Sequence, residues 1–228
     1  MKHIFSIVDL LDWINLAKSY LQDKISFDSD GWPVFERTHF LQEWPDQIVT
    51  YHNRNNKKIN DKSRTLICFF SPDKEIYPRF VKVFSEIETY RSFMGAAGAD
   101  VSITSDMDIE MQECLALANQ LFMAILAVNG IPIAMNTRNG SQETISTFRH
   151  IPRGATCISG FLGCKKSNSY WEADIFTNKM LYLFPQKLLI YGKQDRLINQ
   201  ELDTLGINYR YYEDFHRMSK NKGGKFNG

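Results

Sequence analysis

A chain of 228 residues that is 43% apolar and 23% charged has the composition of a soluble globular protein and the length for one large domain. Its formal net charge of +1 gives no global electrostatic reason to expect nucleic acid or a membrane surface, so any such case rests on local patches. Cys68, Cys114, Cys157 and Cys164 form no Cys-x-x-Cys pair and read as reduced thiols of a cytoplasmic protein.

At the N-terminus a basic start leads into an apolar stretch that Asp9 and Asp12 interrupt, which predicts an amphipathic helix rather than a signal peptide. Ile7, Leu10, Leu11, Ile14, Leu16, Ala17 and Leu21 fall mostly on one side of it, and residues 1–30 form a helical extension. Weak extended segments follow at Val34–Glu36 and Gln47–Tyr51. Residues 53–64 carry five basic side chains against one acid and almost nothing apolar, the pattern of an exposed, mobile loop.

From Thr65 onward the rhythm is regular. Thr65–Phe70 reads as a strand. Lys74–Tyr90 reads as a helix with Tyr77, Phe80, Val81, Phe84, Ile87 and Tyr90 at helical spacing. Asp100–Thr104 is the next predicted strand and Asp108–Val128 a long helix, stopped by Gly130. The remaining elements are strands Ile131–Asn136, Ala155–Ser159, Lys187–Tyr191 and Asn208–Tyr212, with helices near Tyr170–Leu183 and Leu197–Leu205. The longest apolar run, within 121–129, is too short to span a bilayer, so no membrane partner is expected. Residues 216–228 are basic, glycine-rich and aperiodic, a flexible tail.

Short apolar strands alternating with helices specify an α/β fold of repeated βα units with a mainly parallel sheet. Six strands are well written, and the two weak N-terminal segments would make eight. An open doubly wound sheet and a small, distorted or incomplete (βα)8 barrel both fit, the chain's shortness favouring the open or incomplete form. Residues 31–215 form this single domain.

In a parallel sheet the C-terminal strand ends converge, and ligands bind there. Candidates at those ends are Asn136 and Arg138; then Ser159, Gly160, Gly163, Cys164, Lys165 and Lys166; then Tyr191 and Lys193. The Gly160–Ser169 loop combines glycines, lysines and hydroxyls in a pattern suited to an anion, without P-loop spacing. Ser105, Asp106, Asp108 and Glu110 open a helix, where acids suit the dipole and the orphan amides. Asp106, with Asp100 as a weaker partner, is the candidate catalytic carboxylate, as a general base or a ligand for a divalent cation. Strand alternation would put Asp100 at the far end of its strand. Cys164 with His150 would make a nucleophile–base pair, though no sequence feature places them together. The scattered histidines argue against zinc. The basic loop beside Tyr51, and the tail with Phe215 and Phe226, are the local cases for nucleic acid.

Several pieces resemble a bacterial and phage family known as domain of unknown function 4417. They are Asp106-Met107 with Met111-Gln112, Gly130-Ile131-Pro132, Ile151-Pro152-Arg153-Gly154, Gly163-Cys164, Tyr191-Gly192 and the Gly-Asn-rich tail. The resemblance covers residues 65–228 and implies an α/β domain found with phages and mobile elements, without an assigned activity. Together these readings describe a phage or mobile-element accessory protein that binds a nucleotide or nucleic-acid backbone at the strand ends. The alternatives are a metal-assisted hydrolase or transferase using Asp106, and an interaction module acting on a host protein.

Overall fold

The chain's apolar runs form seven strands in the computed structural model, which describes residues 3–160 and 170–213. The strands are β1 (Gln47–Thr50), β2 (Thr65–Cys68), β3 (Gly95–Ala97), β4 (Ile133–Asn136), β5 (Thr156–Gly160), β6 (Lys187–Tyr191) and β7 (Tyr209–Tyr212). Every neighbouring pair is parallel, and the spatial order follows the chain order from β1 to β7. That order decides the architecture. Parallel crossovers are right-handed, so steps that all go one way put every helix on one face. The other face then has to bury itself by curling, which rules out the doubly wound sheet and produces an incomplete barrel.

The inner face carries Ile48, Leu66, Cys68, Ala97, Ala134, Ile158, Leu189, Tyr191 and Tyr212, with Leu41 inserted from below. Small residues on β3 and β4 leave room for the two tyrosines of β6 and β7. Leu41 is fixed by its amide on the Ile133 carbonyl (2.8 Å) and by the Thr156 hydroxyl on its own carbonyl (2.7 Å). No backbone ladder joins β7 to β1 among the described residues. Side chains cross that seam instead: the Tyr212 hydroxyl donates to the Pro45 carbonyl (3.0 Å), and the Arg210 guanidinium lies 4.9 Å over the Trp44 ring.

The helices are α1 (Ile7–Leu21), α2 (Asp73–Lys82), α3 (Ile87–Arg91), α4 (Ile109–Val128), α5 (Tyr170–Leu183) and α6 (Arg196–Thr204). Ser6 caps α1 reciprocally with Asp9: the Asp9 amide donates to Ser6 Oγ (3.2 Å), and the Ser6 amide to the Asp9 carboxylate (2.9 Å). The helix buries Leu10, Trp13, Ile14, Ala17 and Leu21 in the same outer core as the rest of the domain, while Ile7, Leu11 and Leu16 stay exposed. Trp13 stacks on Phe80 and gives its indole N–H to the Phe80 carbonyl (2.9 Å). By length and composition α4 could cross a membrane; here 72% of its apolar window is buried inside the fold.

Three predicted elements are redrawn by the structure. Val34–Glu36 forms no strand; nearby, isolated bridges join Phe27 to Pro33 and Phe40 to Ile133. The expected helix over 74–90 is broken after Lys82 into a 3-10 turn (Val83–Ser85) and α3, with Pro78 inside α2 lacking the N–H that the Lys74 carbonyl would accept. The strand expected over 100–104 is Gly95–Ala97. Val101 and Ile103 are buried, but the Val101 amide goes to Asn119 Oδ1 (3.3 Å) and the Ser102 amide to Asp73 Oδ1 (2.9 Å). Side chains thus take the donors a ladder would have used.

The basic segment 53–64 is tied to the rest of the fold through its last four residues. Arg64 pairs with Glu43 (3.0 Å) and Asp46 (2.8 Å), Asp61 caps the turn at Ser63, and the Lys62 carbonyl accepts the Met94 amide (2.9 Å). Cys68 and Cys157 are buried and Cys114 is half-buried.

Candidate functional site

Moving β3 toward the N-terminus puts Asp100 just past the C-terminal end of that strand, at the barrel mouth, and not at the far end. There it meets β4. Asn136, on the inner face above Ala134, donates from Nδ2 to Asp100 Oδ1 (2.7 Å) and to the Ala99 carbonyl (3.2 Å). Asn136 Oδ1 accepts the Arg138 amide (3.2 Å), and Arg138 Nε lies 2.9 Å from Asp100 Oδ1. Gly98, at φ +43°, permits this approach, since a Cβ there would stand 2.8 Å from the Asn136 Cβ. Burial drives the Asp100 carboxyl up to about 6, against the pull of Arg138 and Asn136 and with a further push from the Asp73 charge. Neither terminal nitrogen of Arg138 has a protein partner among the described residues.

The other expected residues divide. Tyr191 is fully buried inside the barrel, its ring stacked on Phe70 from the opposite wall with centroids 5.7 Å apart. Gly160 has the close approach expected of it, but the Phe70 ring takes the space: a Cβ would meet it at 2.9 Å. Ser159 is buried and alternates onto the helix-facing side, away from Asn136. Lys193 is exposed beyond β6. Gly163, Cys164, Lys165 and Lys166 lie outside the described residues, as does the tail.

Asp106 is exposed, with the Thr104 hydroxyl holding its carboxyl below the usual range. Asp108 is the N-cap of α4 but makes no side-chain capping bond, so these acids serve that helix through charge more than through hydrogen bonds. His150 sits on the side from which β5 enters the sheet, with Nε2 2.6 Å from Asp28 Oδ2. Among the described residues no three His, Cys, Asp or Glu side chains are grouped to hold a metal ion.

A cleft of about 460 Å³ opens outside the barrel wall, between the turn after β1 and helix α2. Its lining brings together Arg54, Lys74, Arg79 and Lys82, with His52, against Glu75 and Glu86. Tyr51 organises one wall: the Arg54 and Arg79 guanidiniums lie 4.1 and 4.7 Å from its ring centroid. Arg79 is committed, donating to the Tyr51 hydroxyl (2.8 Å) and to Glu86 (2.7 Å). Glu86 is also spent on the Tyr90 hydroxyl (2.8 Å). Arg54, Lys74 and Lys82 have no carboxylate partner among the described residues.

The loop's charge pointed toward this cleft through Arg54 and Tyr51. Lys74 and Lys82 carried no such signal, because lysines on the polar face of a helix read as solvated charge. Comparison with known proteins gave no match for this chain among family models, curated proteins or solved structures.

Proposed function

We propose that this protein binds a phosphate-bearing ligand, a nucleotide or a nucleic-acid backbone, in the cleft outside its barrel wall that begins beside the C-terminal ends of β1 and β2. The observation that carries this is the cleft, which Arg54, Lys74 and Lys82 line without carboxylate partners among the described residues. Unpaired cations in a concavity focus positive potential, whereas the same charges scattered over a convex surface are screened. Arg138, anchored through Nε and with terminal nitrogens that have no partner among the described residues, offers a further cation at the barrel mouth. Lys165 and Lys166, which follow β5 in the chain, belong to the same proposal. The phage or mobile-element setting rests on the motif resemblance alone.

The test is fluorescence anisotropy with labelled ATP and labelled oligonucleotides at low and moderate salt. Binding should weaken steeply with salt and fall at least tenfold in the triple variant Arg54→Ala, Lys74→Ala, Lys82→Ala. Absence of binding across the panel, or affinity indifferent to salt, overturns the proposal.

A second reading, a hydrolase or transferase, is favoured by one observation. A carboxyl held at about 6 at the strand ends is suited to proton transfer near neutrality. That reading moves the acid–base role from Asp106 to Asp100. Thermal shifts with magnesium and manganese, with and without nucleotides, test its cation requirement. No metal-dependent shift, together with unchanged nucleotide turnover in Asp100→Asn, removes it.

A further inference from the structure

Two of the cleft cations are strung out along one helix. Lys74, Pro78 and Lys82 all line the cleft at four-residue spacing, so they share one face of α2. Eight residues at the helical rise separate the two lysines by about 12 Å along the axis. Arg54 stands on the opposite wall, oriented by the Tyr51 ring and by its own bond to the Tyr51 carbonyl (3.2 Å). A single phosphate reaches one end of such a row. A ligand that engages the whole row must carry negative charge repeated along its length.

We infer that the occupant of this cleft is a single-stranded nucleic acid, bound through its backbone over about three to four nucleotides and without strong sequence preference. The inference rests on the proposed anion site and specifies its ligand. The length follows from about 12 Å of cation spacing against about 3.4 Å of rise per nucleotide in a stacked strand. Single-strandedness follows from the shape. The cations line a concavity between α2 and the turn after β1, into which one flexible strand can bend. A duplex is a rigid convex cylinder and touches only the rim. Sequence tolerance follows from the lining, which offers charge and guanidinium faces rather than paired donors and acceptors matched to a base edge.

The experiment measures affinity of the full chain for pyrophosphate, ATP, thymidine oligonucleotides of two, four, eight and twelve residues, and a twelve-base-pair duplex. Affinity should rise from ATP to the tetramer by tenfold or more and then level off. With three cations uncommitted among the described residues, the slope of log K against log salt for the tetramer should be about −2, at about −0.7 per neutralised phosphate. The double variant Lys74→Ala, Lys82→Ala should bring that slope below −1 in magnitude and abolish the gain from ATP to tetramer. Both lysines are exposed, so its circular dichroism and melting should match the parent.

If ATP or pyrophosphate binds as tightly as the tetramer, the anion site stands and the single-strand inference falls. If the duplex binds as tightly as the single strand of equal length, the inference also falls. If no anion binds, both readings fall together.

Discussion

Asp100 pits burial against pairing, and a single substitution decides which one prevails. Its side chain is 14% exposed and its nearest cation, Arg138, lies at 2.9 Å. Pairing alone would depress the carboxyl; burial is the larger effect and raises it from 3.8 to about 6. A folded-state value above the unfolded one means the native protein holds the proton more tightly. Between those two values the native state binds more protons than the unfolded chain, so stability falls as pH rises through that window. The gap is worth about 3 kcal/mol at 1.36 kcal/mol per pH unit. Asp100→Asn removes this titration and keeps a hydrogen-bonding group of the same size. Urea unfolding of both proteins from pH 3.5 to 7 should show the parent losing about 3 kcal/mol relative to the variant, almost all of it below pH 6.5. A difference that stays flat would show Asp100 to be unperturbed. A difference of opposite sign would show that Arg138 outweighs burial, and the argument for a raised carboxyl at the mouth would be refuted.

Gly160→Ala should drive a methyl into the Phe70 ring and loosen its stack on Tyr191, costing about 1–3 kcal/mol in urea unfolding; Phe70→Leu in the same background should recover part of it. Trp13→Ala should cost about 3–5 kcal/mol, because the indole is fully buried against Phe80. Trp13→Phe should cost distinctly less, since the Phe80 carbonyl keeps the Val83 amide, and equal losses from the two variants would refute the packing account. Burial opposes ionisation of Asp28, but the Trp32 amide, Arg149 and His150 outweigh it and hold the carboxyl below 3.8. Its stabilisation is therefore complete above that value and lost as pH falls through the lower folded value. Asp28→Asn should flatten the acid limb of thermal unfolding below pH 4, and an unchanged limb would exclude this cluster as its source.

Residue pattern alone determined the alternation of strands and helices and the parallel sheet. Runs such as Leu66–Phe70 and Leu188–Tyr191 are apolar throughout because both sheet faces are covered, and that is visible without coordinates. The open-or-closed question was not visible, because it depends on the direction of each crossover, and direction leaves no mark on local periodicity. Nor was the position of β3. Val101 and Ile103 alternate like a strand, yet Asn119 and Asp73, distant in the chain, claim the neighbouring amides. That displacement of a few residues is what carries Asp100 to the mouth, beside Asn136 and Arg138. The cleft is of the same kind: Arg54 and the α2 lysines are unremarkable in their own segments, and only the packing of α2 against the turn after β1 makes them neighbours. Short-range physics settles which residues fold into which element; the charge constellation depends on contacts between segments, which only the tertiary structure supplies.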